Sequence, residues 1–213
     1  MREVFQQSLR EVQDRLVKIA ELVEETIDNA TTAFGSSDVA MAELVFDRSD
    51  EIEEMAAELD ELTIDILARQ QPVASDLRLM VGALRMSAAL ERMGDLAQHI
   101  AQLARYRYPE SAIPKGLKKI FVRMGALDVE MASKIVELLR TQDDRLIDEV
   151  RDLDDDLDEL HAKVFEKVLS DKLADNTTGA VDATLASRYH ERFGDHAVSV
   201  AKQMQYFLNG SID

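Results

Sequence analysis

Two heptapeptides in this chain carry the same acids at the same spacing, Glu91-Arg92-Met93-Gly94-Asp95-Leu96-Ala97 and Glu191-Arg192-Phe193-Gly194-Asp195-His196-Ala197. In a helix, Glu and Asp four residues apart put their carboxylates on one face, about one turn from each other. Alone, such a pair repels modestly. Joined by oxygens from a neighbouring helix, it becomes a seat for a cation. Hard oxygen donors suit Mg²⁺, Mn²⁺, Ca²⁺ or ferric iron. Gly94 and Gly194 stand inside these helical stretches, where each costs about 1 kcal/mol against alanine. Close helix approach explains them, with or without an opened site.

More acids lie on the preceding elements. Glu43, Asp47, Asp50, Glu54, Glu58, Glu61 and Asp65 oppose an apolar stripe, and Asp148, Asp152, Asp155 and Glu159 form the equivalent row later in the chain. Residues 143–159 hold ten acids against Arg145 and Arg151. Two readings fit these rows: a solvated acidic face, or a surface cluster in which acids from two helices converge on a cation. A calcium loop is excluded, because no glycine follows Asp152, Asp154 and Asp156. The Glu-x-x-His pairs of buried di-iron bundles are missing, which opposes oxygen chemistry. No Gly-rich phosphate loop and no nucleophile constellation is present.

Of the histidines, His99 is four residues from Asp95 and could add a nitrogen ligand, although its repeat counterpart is Ser199. His161 and His190 read as polar-surface residues. Arg92 and Arg192 are expected to pair with acids on adjacent helices. The other reading is that neighbouring arginines hold an anion such as phosphate.

Six helices must position these groups. Phe5, Leu9, Val12, Leu16, Ile19, Val23, Ile27, Ala30 and Phe34 recur at steps of three and four, which predicts a first helix with one buried face. Gly35 to Asp38 ends it. Met41, Val45, Ile52, Met55, Leu59, Leu62 and Ile66 mark a second helix, closed by Gln70-Gln71-Pro72. A third runs from about Val73 to Tyr106, with Asp76 near its start in a cap or first-turn role. After Pro109 and Pro114 the pattern returns. Leu117 to Leu138 gives helix four, Ile147 to Val168 helix five, a turn over 175–179 follows, and about Ala180 to Phe207 gives helix six.

The halves read as copies. VFDRSDEIEE at 45–54 aligns with VRDLDDDLDE at 150–159, as the two ER-x-GD heptapeptides align with each other. The fold expected is all-α: two tandem three-helix bundles, 1–108 and 109–213, with one continuous bundle or solenoid as the alternative.

The composition agrees. The chain has 213 residues, a formal net charge of −17, no cysteine and no tryptophan, and only eight Gly and three Pro. Disulfides and thiolate sites are excluded, and so large an acidic excess opposes free nucleic acid as the main partner. The opening MREVFQQSLREVQDRL lacks the apolar core of a signal peptide, and charges interrupt every apolar run, so a soluble, cytoplasmic protein without membrane insertion is expected.

RQQPVASDLR at 69–78, the two ER-x-GD segments and the acidic helices around Asp50 and Asp155 together resemble the phosphate-uptake regulator family, PhoU. The resemblance spans nearly the whole chain and includes the duplication. It implies a six-helix molecule with iron or other metal ions (Fe, Mn, Mg or Zn) held by surface E(D)-x-x-x-D motifs. Carried onto this sequence, the ligands are Asp50, Glu53, Glu91 and Asp95 in the first half and Asp155, Asp158, Glu191 and Asp195 in the second, with Asp47 and Asp152 competing. It further implies a non-enzymatic accessory role in phosphate transport and negative control of phosphate-starvation signalling. The partners implied are the nucleotide-binding subunit of the phosphate ABC transporter and a sensor histidine kinase, with a homodimer as the assembly. A carboxylate-rich metal store or metal-dependent hydrolase is the alternative.

Overall fold

The computed structural model describes residues 2–170 and 176–210. Over these, six helices follow in order: α1 (Arg2–Ser36), α2 (Val39–Gln70), α3 (Ser75–Arg107), α4 (Lys118–Thr141), α5 (Arg145–Val168) and α6 (Thr177–Asn209). No described residue is in a strand, so the all-α expectation holds.

Local chemistry sets the helix ends. The Asp38 carboxylate accepts a hydrogen bond from the Met41 N–H at 3.0 Å and starts α2. Asn176 does the same for Gly179 at 2.9 Å and starts α6. The expected turn over 175–179 is therefore the first turn of α6 from Thr177 onward, and Asp175 lies outside the described residues. Asp76 sits in the first turn of α3, but no side chain caps that helix. Gln71 and Gln142 close α2 and α4 in the left-handed region, at φ 46° and 56°.

The α1 stripe from Val12 to Phe34 is buried at each of its three-and-four steps. α1, α2 and α3 pack together as one bundle and α4, α5 and α6 as the second. α3 also packs along α6, and α1 along α4, so the buried apolar residues of both bundles form one continuous core. Arg107 at the end of α3 clasps Asp182 near the start of α6, donating Nε–H at 2.5 Å and Nη2–H at 2.9 Å.

Of the two histidines expected at the surface, one is buried and the other half-buried. His190 on α6 is 1 % exposed, and its Nδ1 shares a 2.5 Å hydrogen bond with Oδ2 of the fully buried Asp128 on α4. Burial pushes the Asp128 carboxyl up to about 6 against the opposing pull of His190. His161 is half-buried, and its Nδ1 shares a 2.5 Å hydrogen bond with Ser187 Oγ across α5 and α6. Among the described residues, no helix is long and apolar enough to cross a membrane.

Candidate functional site

The two repeated motifs lie on α3 and α6, each flanked by the acidic helix of its own half. Gly94 and Gly194 make that approach possible. A Cβ on Gly94 would stand 3.0 Å from Ile52 Cδ1 of α2. A Cβ on Gly194 would stand 2.5 Å from Asp154 Oδ1 and 2.8 Å from Leu157 Cδ2 of α5. Ile52 and Leu157 are equivalent under the offset of the repeats, so the same helix pair closes in both halves.

In the second half the acids of α5 and α6 crowd each other. Asp154 is the most affected. Burial, then the charges of Asp158, Asp195, Asp155 and Glu191, push its carboxyl up to about 7. Asp158 is raised by burial and by Asp195, with His161 acting the other way. Glu191 is raised chiefly by burial, opposed by Arg188, which ion-pairs with it from one turn earlier. The Glu191 Oε2 atom is buried and has no hydrogen-bond partner.

The first half is a weaker version. Glu91 is raised by burial and then by Asp95, with Glu53 and Asp60 of α2 adding to the shift and Arg92 opposing it. Arg92 donates to Asp95 at 2.7 Å on its own helix, where a pair to an adjacent helix was expected. Asp60 Oδ1 is buried without a partner. The acid that corresponds to Asp154 is missing, because Ser49 stands there, buried against the core.

The structure thus brings Glu53, Glu91 and Asp95 into one electrostatic neighbourhood, and Asp155, Asp158, Glu191 and Asp195 into another. Asp50 lies on the exposed side of α2. The outer row of Asp148, Asp152 and Glu159 is solvent-facing, as is the row Glu43 to Asp65 on α2. Asp154 is the residue the sequence reasoning passed over. It is four residues before Asp158 and three after Arg151, on the face that meets α6, and its one local signal is the i, i+4 spacing to Asp158, which does not say which face is covered.

The donors fit a hard cation in kind: every one is a carboxylate oxygen, and the second cluster holds an orphaned buried oxygen. Among the described residues, no three Asp, Glu or His side chains converge closely enough to hold a metal ion as they stand. Arg92 holds one oxygen of Asp95 and Arg188 one oxygen of Glu191, so a cation at either motif competes with an arginine for the carboxylate.

Between the two motifs, α3 and α6 leave a pocket of about 440 Å³. Arg92, Arg188 and Arg192 line it with Asp95, and Leu96 and Tyr189 form an apolar wall. His99 stacks on Tyr189, with ring centroids 5.1 Å apart and planes at 28°. His196, also in the wall, is lowered by burial and by the charges of Arg192 and Arg92.

Comparison with known proteins matches this architecture. The family model described as the PhoU domain fits the chain twice, over residues 16–104 and 121–204. The phosphate-specific transport system accessory protein PhoU homolog 2 of Mycobacterium tuberculosis is 35 % identical over 211 residues, 99 % of each chain. The crystal structure of PhoU from Pseudomonas aeruginosa superposes with a TM-score of 0.91 at 28 % identity, covering 97 % of this chain and 100 % of that one. The phosphate transport system regulatory protein PhoU from Streptococcus pneumoniae has the same fold, with a TM-score of 0.87 at 21 % identity over 98 % of this chain and 99 % of that one.

Proposed function

This chain belongs to the PhoU family, and from that membership we propose that it is an accessory regulator of phosphate transport that restrains uptake and starvation signalling by docking on other proteins. One observation carries the reading. The match to phosphate-transport accessory proteins runs the full length of the chain, in sequence and in fold, with both repeats in place. The partners that fit are the nucleotide-binding subunit of the phosphate transporter and a phosphate-responsive sensor kinase. The acidic outer rows of α2 and α5, on a chain of net charge −17, suit encounter with basic patches on such partners.

The carboxylate clusters belong to the same reading. Asp154, Asp155, Asp158, Glu191 and Asp195 in one half, and Asp50, Glu53, Glu91 and Asp95 in the other, are the residues that would hold divalent or ferric cations. A bound cation would supply positive charge to carboxylates that burial and mutual repulsion destabilise. It would brace α5 against α6 and α2 against α3 at the surface a partner meets.

The test is affinity capture of the full-length protein from membranes of cells grown in high and in low phosphate. Recovery of the transporter subunit or the kinase, changing with phosphate, is the expected result. Recovery of neither in both conditions overturns the reading. Calorimetric titration with Mn²⁺ examines the clusters separately: a few saturable sites weakened in Glu191→Gln are expected, whereas uptake of many ions without saturation would indicate storage.

A further inference from the structure

The pocket between α3 and α6 has a chemistry opposite to that of the chain around it. The protein carries 42 acids against 25 Lys and Arg, yet three arginines and two histidines line this one cavity. Arg92 and Arg192 are the second residues of the two motifs, so each half contributes one, and the cavity exists only because α3 lies along α6. Gathering cations in this way costs repulsion, which Asp95 and Glu191 relieve for Arg92 and Arg188. Arg192 has no carboxylate partner among the described residues. A second groove lined by Arg85 continues from the pocket and shares Arg92 and His196 with it.

We propose that this inter-bundle pocket binds a small phosphate-bearing anion, held by Arg192, Arg92 and Arg188. A guanidinium offers paired N–H donors in a planar fork that matches phosphate oxygens, and a fork without a partner is available to do so. The volume of about 440 Å³ is of small-molecule size and exceeds what bare phosphate needs. Leu96 and the Tyr189 ring give the remaining space an apolar wall on which an organic group can rest. Phosphate is the shared recognition element, carried by the free ion or by a nucleotide. This site goes beyond the accessory role proposed above and does not depend on cations in the carboxylate clusters.

The experiment uses the full-length protein stripped of metal with chelator. Inorganic phosphate and adenosine monophosphate are titrated separately by calorimetry in buffer free of other polyvalent anions. The variants are Arg192→Gln, Arg192→Lys and Arg69→Gln. The last removes the same charge from the exposed end of α2, away from the pocket. Saturable binding of at least one ligand is expected, weakened tenfold or more by Arg192→Gln, less by Arg192→Lys and not by Arg69→Gln. Tighter binding of the nucleotide would assign the apolar wall to its base, and equal or better binding of phosphate would assign the site to the free ion. Absence of saturable binding for both ligands overturns the proposal. So does binding that Arg192→Gln leaves unchanged in a protein with wild-type circular dichroism, or binding that Arg69→Gln weakens equally.

Discussion

Replacing Asp154 with asparagine should change how the stability of the metal-free protein depends on pH. The folded protein holds the Asp154 carboxyl near 7, because the side chain is pressed against α6 among Asp158, Asp195, Asp155 and Glu191. In the unfolded chain the same group titrates near its ordinary value of about 3.9. Between those two values the folded state binds a proton that the unfolded state does not. Stability from this group is therefore complete below the unfolded value and is lost as pH rises through the folded one. A difference of about 3 units at about 1.4 kcal/mol each sets a ceiling of about 4 kcal/mol. Asp154 keeps contact with solvent, and screening reduces the effect to about 1–2 kcal/mol. Asp154→Asn has no such titration. Urea unfolding in chelator should give near-equal stabilities at about pH 4.5 and an advantage to the variant of about 1–2 kcal/mol at about pH 8. In thermal unfolding that corresponds to about 4 °C. Mn²⁺ should reverse the ranking at the higher pH, because only wild type then keeps the full carboxylate set. Stability curves for the two metal-free proteins that run parallel across this range would refute the account of the crowded cluster.

Four further substitutions probe the frame around the sites. Asp128→Ala leaves His190 buried without its partner and should cost about 3–5 kcal/mol in urea unfolding, most of it recovered when both residues are made apolar; a double variant as unstable as the sum of the singles contradicts this. Arg107→Ala strands the 5 %-exposed Asp182 at the junction of the bundles and should cost about 2 kcal/mol, whereas a loss within experimental error would mean the clasp holds nothing. Gly94→Ala gains about 1 kcal/mol of helix propensity but drives a Cβ into the buried Ile52, so the net result should be destabilising within the roughly 1–3 kcal/mol range of overpacked cores. At position 194 the same change displaces Asp154 outward, and its pH profile should resemble that of Asp154→Asn.

The helices were legible because their apolar residues recur every three or four positions, and the duplication because the motifs keep their spacing. The glycines were legible as close approaches. What the spacing could not give was rotation about each helix axis. α3 is buried on nearly all sides, since it meets α1, α2 and α6 together, so no single apolar stripe shows that Glu91 and Asp95 lie half-buried at the flank of the core. The same limit hid Asp154 behind the more conspicuous outer row of Asp148, Asp152, Asp155 and Glu159. His190 was misread for a different reason. Its partner Asp128 is a single acid inside the apolar stripe of α4, and a buried polar pair across 62 residues leaves no local pattern. The inter-bundle pocket was likewise invisible, because it needs α3 and α6 side by side, and only the two motif arginines hinted at it.

The ion pairs make the carboxylate clusters and the arginine pocket parts of one charge balance. Arg92 is held by Asp95 and Arg188 by Glu191, and both acids belong to the proposed cation ligands while both arginines face the pocket. A cation that takes Asp95 or Glu191 must free the arginine it displaces. That arginine then faces the pocket without its counter-charge, and an anion there becomes more favourable. Linkage requires the converse as well: an anion that draws Arg92 and Arg188 inward leaves two carboxylates unpaired and tightens cation binding by the same factor. Phosphate titrated in the presence of Mn²⁺ should therefore bind more tightly than in chelator, and Mn²⁺ should bind more tightly in phosphate by an equal ratio. Asp95→Asn combined with Glu191→Gln should release the arginines permanently, giving tight anion binding that no longer responds to Mn²⁺. Equal phosphate affinity with and without saturating Mn²⁺ in wild type would show that the two sites, though they share side chains, do not share energy.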